Sequence, residues 1–131
     1  LKERLALLCG DLFEPLRQRA GQESFDAIVC NPPYVCSAHL AALEPEVREY
    51  DPHLALDGGE DGLDYYRRIA ARAADYLAPA GLLFLEVGDG QAEEVAALLQ
   101  ASACFAMREI RADLNDIPRV VIAHNPVGRD G

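Results

Sequence analysis

Asn31-Pro32-Pro33-Tyr34 is the tetrapeptide in this 131-residue chain whose residue types and order point most directly to chemistry. It follows the apolar run Phe25 to Cys30 without a spacer. Neither proline has an N–H, and each fixes φ near about −65°, so the Asn31 and Pro32 carbonyls are held outside any strand ladder in a rigid turn. With the Asn31 side-chain oxygen they are acceptors that can converge on a planar NH₂ group, one acceptor to each proton. Tyr34 offers a flat face on which that group can lie. An amide or exocyclic amino nitrogen is a weak nucleophile because its lone pair is delocalised. Holding both protons favours a pyramidal nitrogen with its lone pair free, so the cradle would bind the reacting geometry better than the ground state. The plainer reading is a strand stopped by prolines. The position at the end of an interior-type strand favours the cradle.

Other polar groups are less telling on their own. Asp11, after Gly10, reads as a turn residue or as the N-cap of a short helix over Phe13 to Leu16. Asp57-Gly58-Gly59-Glu60-Asp61-Gly62 reads as an acidic turn that caps the helix after it. Cys9, Cys30, Cys36 and Cys104 lack C-x-x-C spacing and read as reduced, structural thiols, with a metal site on Cys30 and Cys36 as the weaker alternative. His39, His53 and His124 share no ligand-like spacing, so no metal is expected.

The elements that must position these groups alternate between strand and helix. Leu5 to Cys9, Phe25 to Cys30 and Leu82 to Val87 are short apolar runs of the buried parallel type. Phe105 to Ala112 and Arg119 to Ala123 read as an antiparallel hairpin, since the span between them is too short for a packed helix. Leu63 to Leu77 and Gln91 to Ala103 repeat apolar residues at three and four, the helical period. Weaker helices are expected over Pro15 to Arg19 and Ala38 to Leu43. Tyr34 to Gly62 otherwise reads as a long loop, of the kind that forms lids and binding surfaces. The pattern predicts an open α/β sheet, whose ligands sit beyond the carboxyl ends of the strands.

Composition narrows the class. Half the residues are apolar, and the formal charge is −10 from 22 acidic and 12 basic residues. A chain of this length can bury a core, which excludes disordered and collagen-like classes. Lys2 is the sole lysine, and the acidic balance argues against a sequence-independent grip on nucleic acid. No apolar run approaches the roughly 18 residues of a membrane span, and no signal pattern precedes Leu5, so a cytoplasmic protein without a membrane partner is expected.

Phe-Asp-Ala-Ile-Val-Cys-Asn-Pro-Pro-Tyr-Val (Phe25 to Val35) resembles the fourth motif of S-adenosylmethionine-dependent amino-methyltransferases. Glu46 to Ile69, Leu82 to Gln91 and Asp116 to Val121 narrow the resemblance to the HemK-type protein-glutamine methyltransferases, which modify the Gly-Gly-Gln glutamine of peptide-chain release factors. It covers essentially the whole chain. It implies a Rossmann-like methyltransferase sheet ending in an antiparallel hairpin, S-adenosylmethionine as cofactor and a release factor as partner. It assigns Asn31, Pro32 and Tyr34 to catalysis and Asn31, Pro32, Pro33 and Tyr34 to the substrate amide. It assigns Asp11, Leu12 and Asn31 to the cofactor, with Asp11 accepting from the adenine amino group and Leu12 packing on the ring. The acidic turn at Asp57 to Gly62 is expected near the substrate entrance, without a catalytic role.

Glu86-Val87-Gly88-Asp89-Gly90-Gln91 also has the layout of a cofactor loop, which would require a circularly permuted enzyme. Glu93 stands where a third glycine would be needed, so these glycines are read as a tight strand-to-helix turn. The G-x-G-x-G loop of the resembled family is not found upstream of Leu5, so residues 1–131 are expected to form one partial catalytic domain, truncated at its N-terminal side. Such a chain is expected to be inactive alone, to bind cofactor weakly or not at all, and to self-associate through a bare sheet edge. Asp116 stands where the family's turn would carry glycine. The alternatives are an amino-methyltransferase acting on adenine or cytosine and a non-catalytic module of the same fold.

Overall fold

In the computed structural model, the described residues are 2–20, 24–43, 45–50 and 52–126. Glu44 and Asp51, inside the segment read as a loop, lie outside them. Four strands form one mixed sheet: β1 (Phe25–Cys30), β2 (Leu77–Glu86), β3 (Ala106–Ala112) and β4 (Pro118–His124), in the order β1-β2-β4-β3. β1 and β2 are parallel, while β4 runs antiparallel to both β2 and β3. The crossover from β1 to β2 carries α1 (Pro45–Tyr50), α2 (His53–Leu56) and α3 (Asp64–Arg72). α4 (Ala92–Ala101) joins β2 to β3.

Register explains where the core lies. Ile28, Leu83, Ala123 and Met107 form one row across the sheet, and Cys30, Leu85, Val121 and Ile110 the next. Side chains alternate along a strand, so both rows face the same side. Tyr66, Ile69 and Ala70 of α3 and Val95 and Leu99 of α4 join that core. On β2, Leu83 and Leu85 are fully buried, whereas Leu82 and Phe84, which alternate with them, are half-buried. The sheet is therefore covered most fully on its helical face.

Four expectations need correction in detail. Phe25 to Cys30, read as an interior-type strand, is the edge strand β1 among the described residues, and four of its six residues are exposed. Leu5 to Cys9 is not a strand: the segment has no regular structure, and Leu5, Leu7 and Leu8 are exposed. A buried strand needs a neighbour to take its backbone groups, and this run lies beside none. β2 begins at Leu77 rather than Leu82, through an irregularity in its pairing with β1. Ala80 there has φ +62°, and Asn125 Nδ2 donates to the Leu77 and Ala78 carbonyls at 3.0 and 3.3 Å. The segment read as a long loop holds a 3₁₀ segment at Ser37–Ala42, where a weaker helix was expected, the short helices α1 and α2, and an isolated bridge between Val35 and Asp57.

The other elements fall where the period placed them. The helix expected over Leu63 to Leu77 is α3 continued by a 3₁₀ turn at Ala73–Asp75. Asp116 takes φ +60° in the β3–β4 turn, a conformation Asp tolerates better than most residues. Asp113 organises that turn by accepting from the Asn115 and Ile117 N–H groups at 2.7 and 3.1 Å. Those bonds and Arg119 hold its carboxyl below the usual range.

Candidate functional site

The Asn31–Tyr34 turn leaves the carboxyl end of β1, as the open-sheet rule requires. Asn31 is exposed, Pro32 buried, and Pro33 and Tyr34 half-buried. Asn31, Pro32 and Tyr34 line a cavity of about 490 Å³, completed by Val35, Leu43 and the α2 region at Pro52, Ala55 and Leu56. Among the described residues, no hydrogen bond ends on the Asn31 side chain or on the Pro32 carbonyl. Asn31, Pro32 and Tyr34 thus meet at one cavity, with no described residue donating to the Asn31 side chain or the Pro32 carbonyl.

Pro33 has a different place. It does not line the cavity. Its carbonyl lies against Gly58, where a Cβ would come within 2.9 Å of it and within 2.8 Å of the Tyr34 Cα.

The acidic turn is the back wall of this arrangement. Val35 N–H donates to Leu56 O at 2.9 Å, Gly58 N–H to Val35 O at 2.8 Å and Ser37 N–H to Gly59 O at 2.9 Å, so residues 35–37 run beside 56–59 like a short ladder. Gly62, at φ +77°, has no room for a side chain: a Cβ would lie 2.6 Å from Tyr34 O. Such contacts and the left-handed φ both call for glycine. Two carboxylates hold the turn's shape. Asp57 accepts from Ser37 Oγ at 2.6 Å and Gly59 N–H at 3.0 Å, and these bonds lower its pKa. Asp61 accepts from Leu63 N–H at 3.0 Å, at the start of α3, and pairs with Arg67, which is the main reason its pKa falls to about 2.

The turn after β2 closes the third side. Gln91 donates from Nε2 to Tyr34 O at 3.0 Å and accepts the Gly88 N–H on Oε1 at 2.9 Å. A Cβ on Gly88 would meet Tyr34 Cδ2 at 2.8 Å. Gly88 and Gly90 (φ +80°) therefore serve the strand-to-helix turn, as the sequence reading held. Tyr66, wholly buried on α3, donates its hydroxyl to Glu86 O at 2.7 Å, and burial raises its pKa. The sequence reading missed Gln91, Gly58 and Gly62 as partners of Asn31–Tyr34. Both glycine-bearing turns, 57–62 and 88–90, were visible, but nothing in the sequence said that they meet one tyrosine.

Asp11 and Leu12 lie apart from that cavity. Leu12, at φ +47°, lines an apolar cavity of about 330 Å³ with Phe13, Leu16, Phe25, Ile69 and residues 27–30 of β1. Asp11 lines an adjoining cleft that also takes in Leu12 and Phe13, and it accepts from Arg68 at 2.6 Å. Phe13 stacks on Tyr76 with ring centroids 4.9 Å apart, which ties this segment to the end of the α3 crossover. β1 therefore stands between the two expected halves of a site, with Leu12 against its length and Asn31 at its end. Cys36 donates from Sγ to Glu60 O, and burial raises the Cys30 pKa.

This mixed sheet with helices packed on one face shares its fold with solved Rossmann-like methyltransferases. A solved protein-(glutamine-N5) methyltransferase, release factor-specific, from Alicyclobacillus acidocaldarius matches 86% of this chain and 58% of its own, at 31% identity and a TM-score of 0.54. A methyltransferase structure from Pyrococcus furiosus, 18% identical with a TM-score of 0.52, shares the fold over 81% of this chain and 43% of that one.

By sequence, the chain is similar over most of its length to part of several release factor glutamine methyltransferases. It is 50% identical to the enzyme of that name from Geobacter sulfurreducens over 90% of this chain and 40% of that protein. Against the one from Bradyrhizobium diazoefficiens it is 54% identical over 76% of this chain and 33% of that protein. The chain thus spans two fifths or less of the length of these curated relatives. No family model matches it.

Proposed function

We propose that this chain carries the acceptor side of an S-adenosylmethionine-dependent methyltransferase whose substrate is a glutamine side-chain amide in a peptide-chain release factor. Residues 1–131 would be part of one catalytic domain working in the cytoplasm. The observation that carries the reading is that Asn31, Pro32 and Tyr34 line one cavity while no described residue donates to the Asn31 side chain or the Pro32 carbonyl. A carboxamide NH₂ has two in-plane protons and a flat π-face, which is the complement of two acceptors and a ring. Pro32 and Pro33 fix the acceptors before substrate arrives, so little reorganisation is needed when the nitrogen begins to pyramidalise. The apolar lining from Leu43, Ala55 and Leu56 would exclude water from the amide and strengthen those hydrogen bonds.

The cofactor's fit is to its adenine end. The apolar cavity at Leu12 and β1 suits an aromatic base, and Asp11 would have to exchange Arg68 for an adenine amino group. S-adenosylmethionine, when bound, supplies an electrophilic methyl group. This chain's residues orient the accepting nitrogen and withdraw its protons from competing partners. The net charge of −10 speaks against a nucleic-acid substrate.

Transfer of tritiated methyl from S-adenosylmethionine to a release factor by the full-length enzyme that contains these residues, with the factor's Gly-Gly-Gln glutamine replaced as control, tests the proposal. Label on the wild-type factor alone is expected; equal label on both, or on neither, overturns it. The bare edge of β1 further supports self-association of the 131-residue chain in isolation, with Val29 79% exposed beside it. Sedimentation should show oligomers that Val29→Lys disperses.

A further inference from the structure

We propose that Gln91 is a positioning residue for the substrate amide: its carboxamide fixes the Tyr34 carbonyl and, through it, the ring and the Asn31 and Pro32 acceptors. The inference rests on the methyl-transfer reading above and adds a residue to it. Gln91 spends both ends of its side chain on the turn. Oε1 accepts from Gly88 N–H and Nε2 donates to Tyr34 O, a residue 57 positions away. A backbone N–H can only donate and a carbonyl can only accept, so the orientation of the carboxamide is forced. The space around it is matched to that side chain. A Cβ on Gly62 would lie 2.8 Å from Nε2, and one on Gly88 would lie 2.7 Å from Oε1.

The two bonds do different things. Closing the turn into α4 needs only the acceptor, because it ties Gly88 to the residue preceding the helix. The donated bond adds nothing to that turn. It holds the last residue of the acceptor tetrapeptide against the end of β2, and Pro33 and Pro32 transmit the constraint because their φ angles cannot adjust.

Gln91→Glu separates the two roles in the full-length enzyme. It keeps an acceptor for Gly88 and suits the positive end of α4, but a carboxylate cannot donate to Tyr34 O and repels it. The expected result is an unchanged or higher melting temperature, unchanged cofactor affinity and a kcat for release-factor methylation lower by roughly tenfold or more. Hydrogen exchange at residues 32–36 should rise in the free protein. Gln91→Met, of similar size and with neither bond, should lose both melting temperature and kcat. A Gln91→Glu enzyme with wild-type kcat, or one whose kcat falls only together with its melting temperature while exchange at 32–36 stays unchanged, overturns the role of Gln91. A wild-type enzyme that transfers no methyl group overturns the functional reading itself.

Discussion

The turn at Asn31–Tyr34 and the segment from Leu5 to Phe13 both read in the sequence as strand-to-loop junctions of one sheet, yet the structure treats them in opposite ways. The first is packed on three sides: Gly58 and Gly62 leave no room for side chains, and Gln91 holds its carbonyl. The second carries three exposed leucines and is fastened mainly by the Phe13–Tyr76 stack and the Asp11–Arg68 pair. Prolines and glycines act through local stereochemistry, so a turn built from them forms wherever the chain brings its neighbours. An apolar run becomes a strand only when another strand accepts its backbone.

The sharpest way to break this contrast is to make a small change in each region. Asn31→Ala removes a free acceptor and no packing. In the full-length enzyme it should lower kcat by roughly 10²–10³-fold, the usual loss for one preorganised hydrogen-bonding group, while cofactor affinity is comparatively spared. Leu7→Ser, at a residue 86% exposed, should leave the stability of the isolated chain within about 0.5 kcal/mol by urea titration. If Asn31→Ala were harmless, the packed turn would be structural only. If Leu7→Ser were costly, the loose segment would be packed against something.

A second comparison lies inside the packed region. Gly62 and Gly90 both have φ near +80°, but a Cβ on Gly62 would strike Tyr34 O at 2.6 Å and one on Gly90 would meet nothing within 4 Å. Gly90→Ala should therefore cost only the left-handed strain, roughly 1–2 kcal/mol. Gly62→Ala adds overpacking and should cost roughly 2–4 kcal/mol by urea unfolding. Equal losses would mean that the acidic turn moves away from Tyr34 freely.

What was legible in the sequence follows the same division. β1, α4 and the β3–β4 hairpin were placed within one or two residues because period and punctuation are local signals. The early start of β2 was not legible, since Asn125, which follows β4 on the side of β2 away from β1, supplies bonds to Leu77 and Ala78 that hold this stretch in the strand. The acceptor tetrapeptide was legible from its prolines. Its support was not, because contacts from residues 58, 62 and 91 to Tyr34 depend on the fold. Leu5 to Cys9 misled for the converse reason: its apolar content was read without the neighbour that would have made it a strand.

The smallest expected effect concerns how the back wall responds to acid. Asp61 has its carboxyl lowered from 3.8 to about 2, mainly by Arg67 and then by the Leu63 N–H, and Asp57 is lowered by Ser37 and Gly59. A carboxylate with a depressed folded-state pKa contributes its stabilisation above its unfolded value and loses it as pH falls toward the folded value. For Asp61 that window runs from pH 3.8 down to about 2. Asp61 is exposed and Asp57 half-buried, so solvent screens both, and the effect should be modest and should shrink further with added salt. Hydrogen exchange between pH 4 and pH 2, corrected for intrinsic rates, should show protection lost earlier at residues 57–63 than at β2 and β4. Asp61→Asn should flatten that early loss, because an amide still accepts from Leu63 but does not titrate. The same exchange profile in wild type and Asp61→Asn would mean that the glycine contacts, and not the charged pair, set the stability of the wall behind Tyr34.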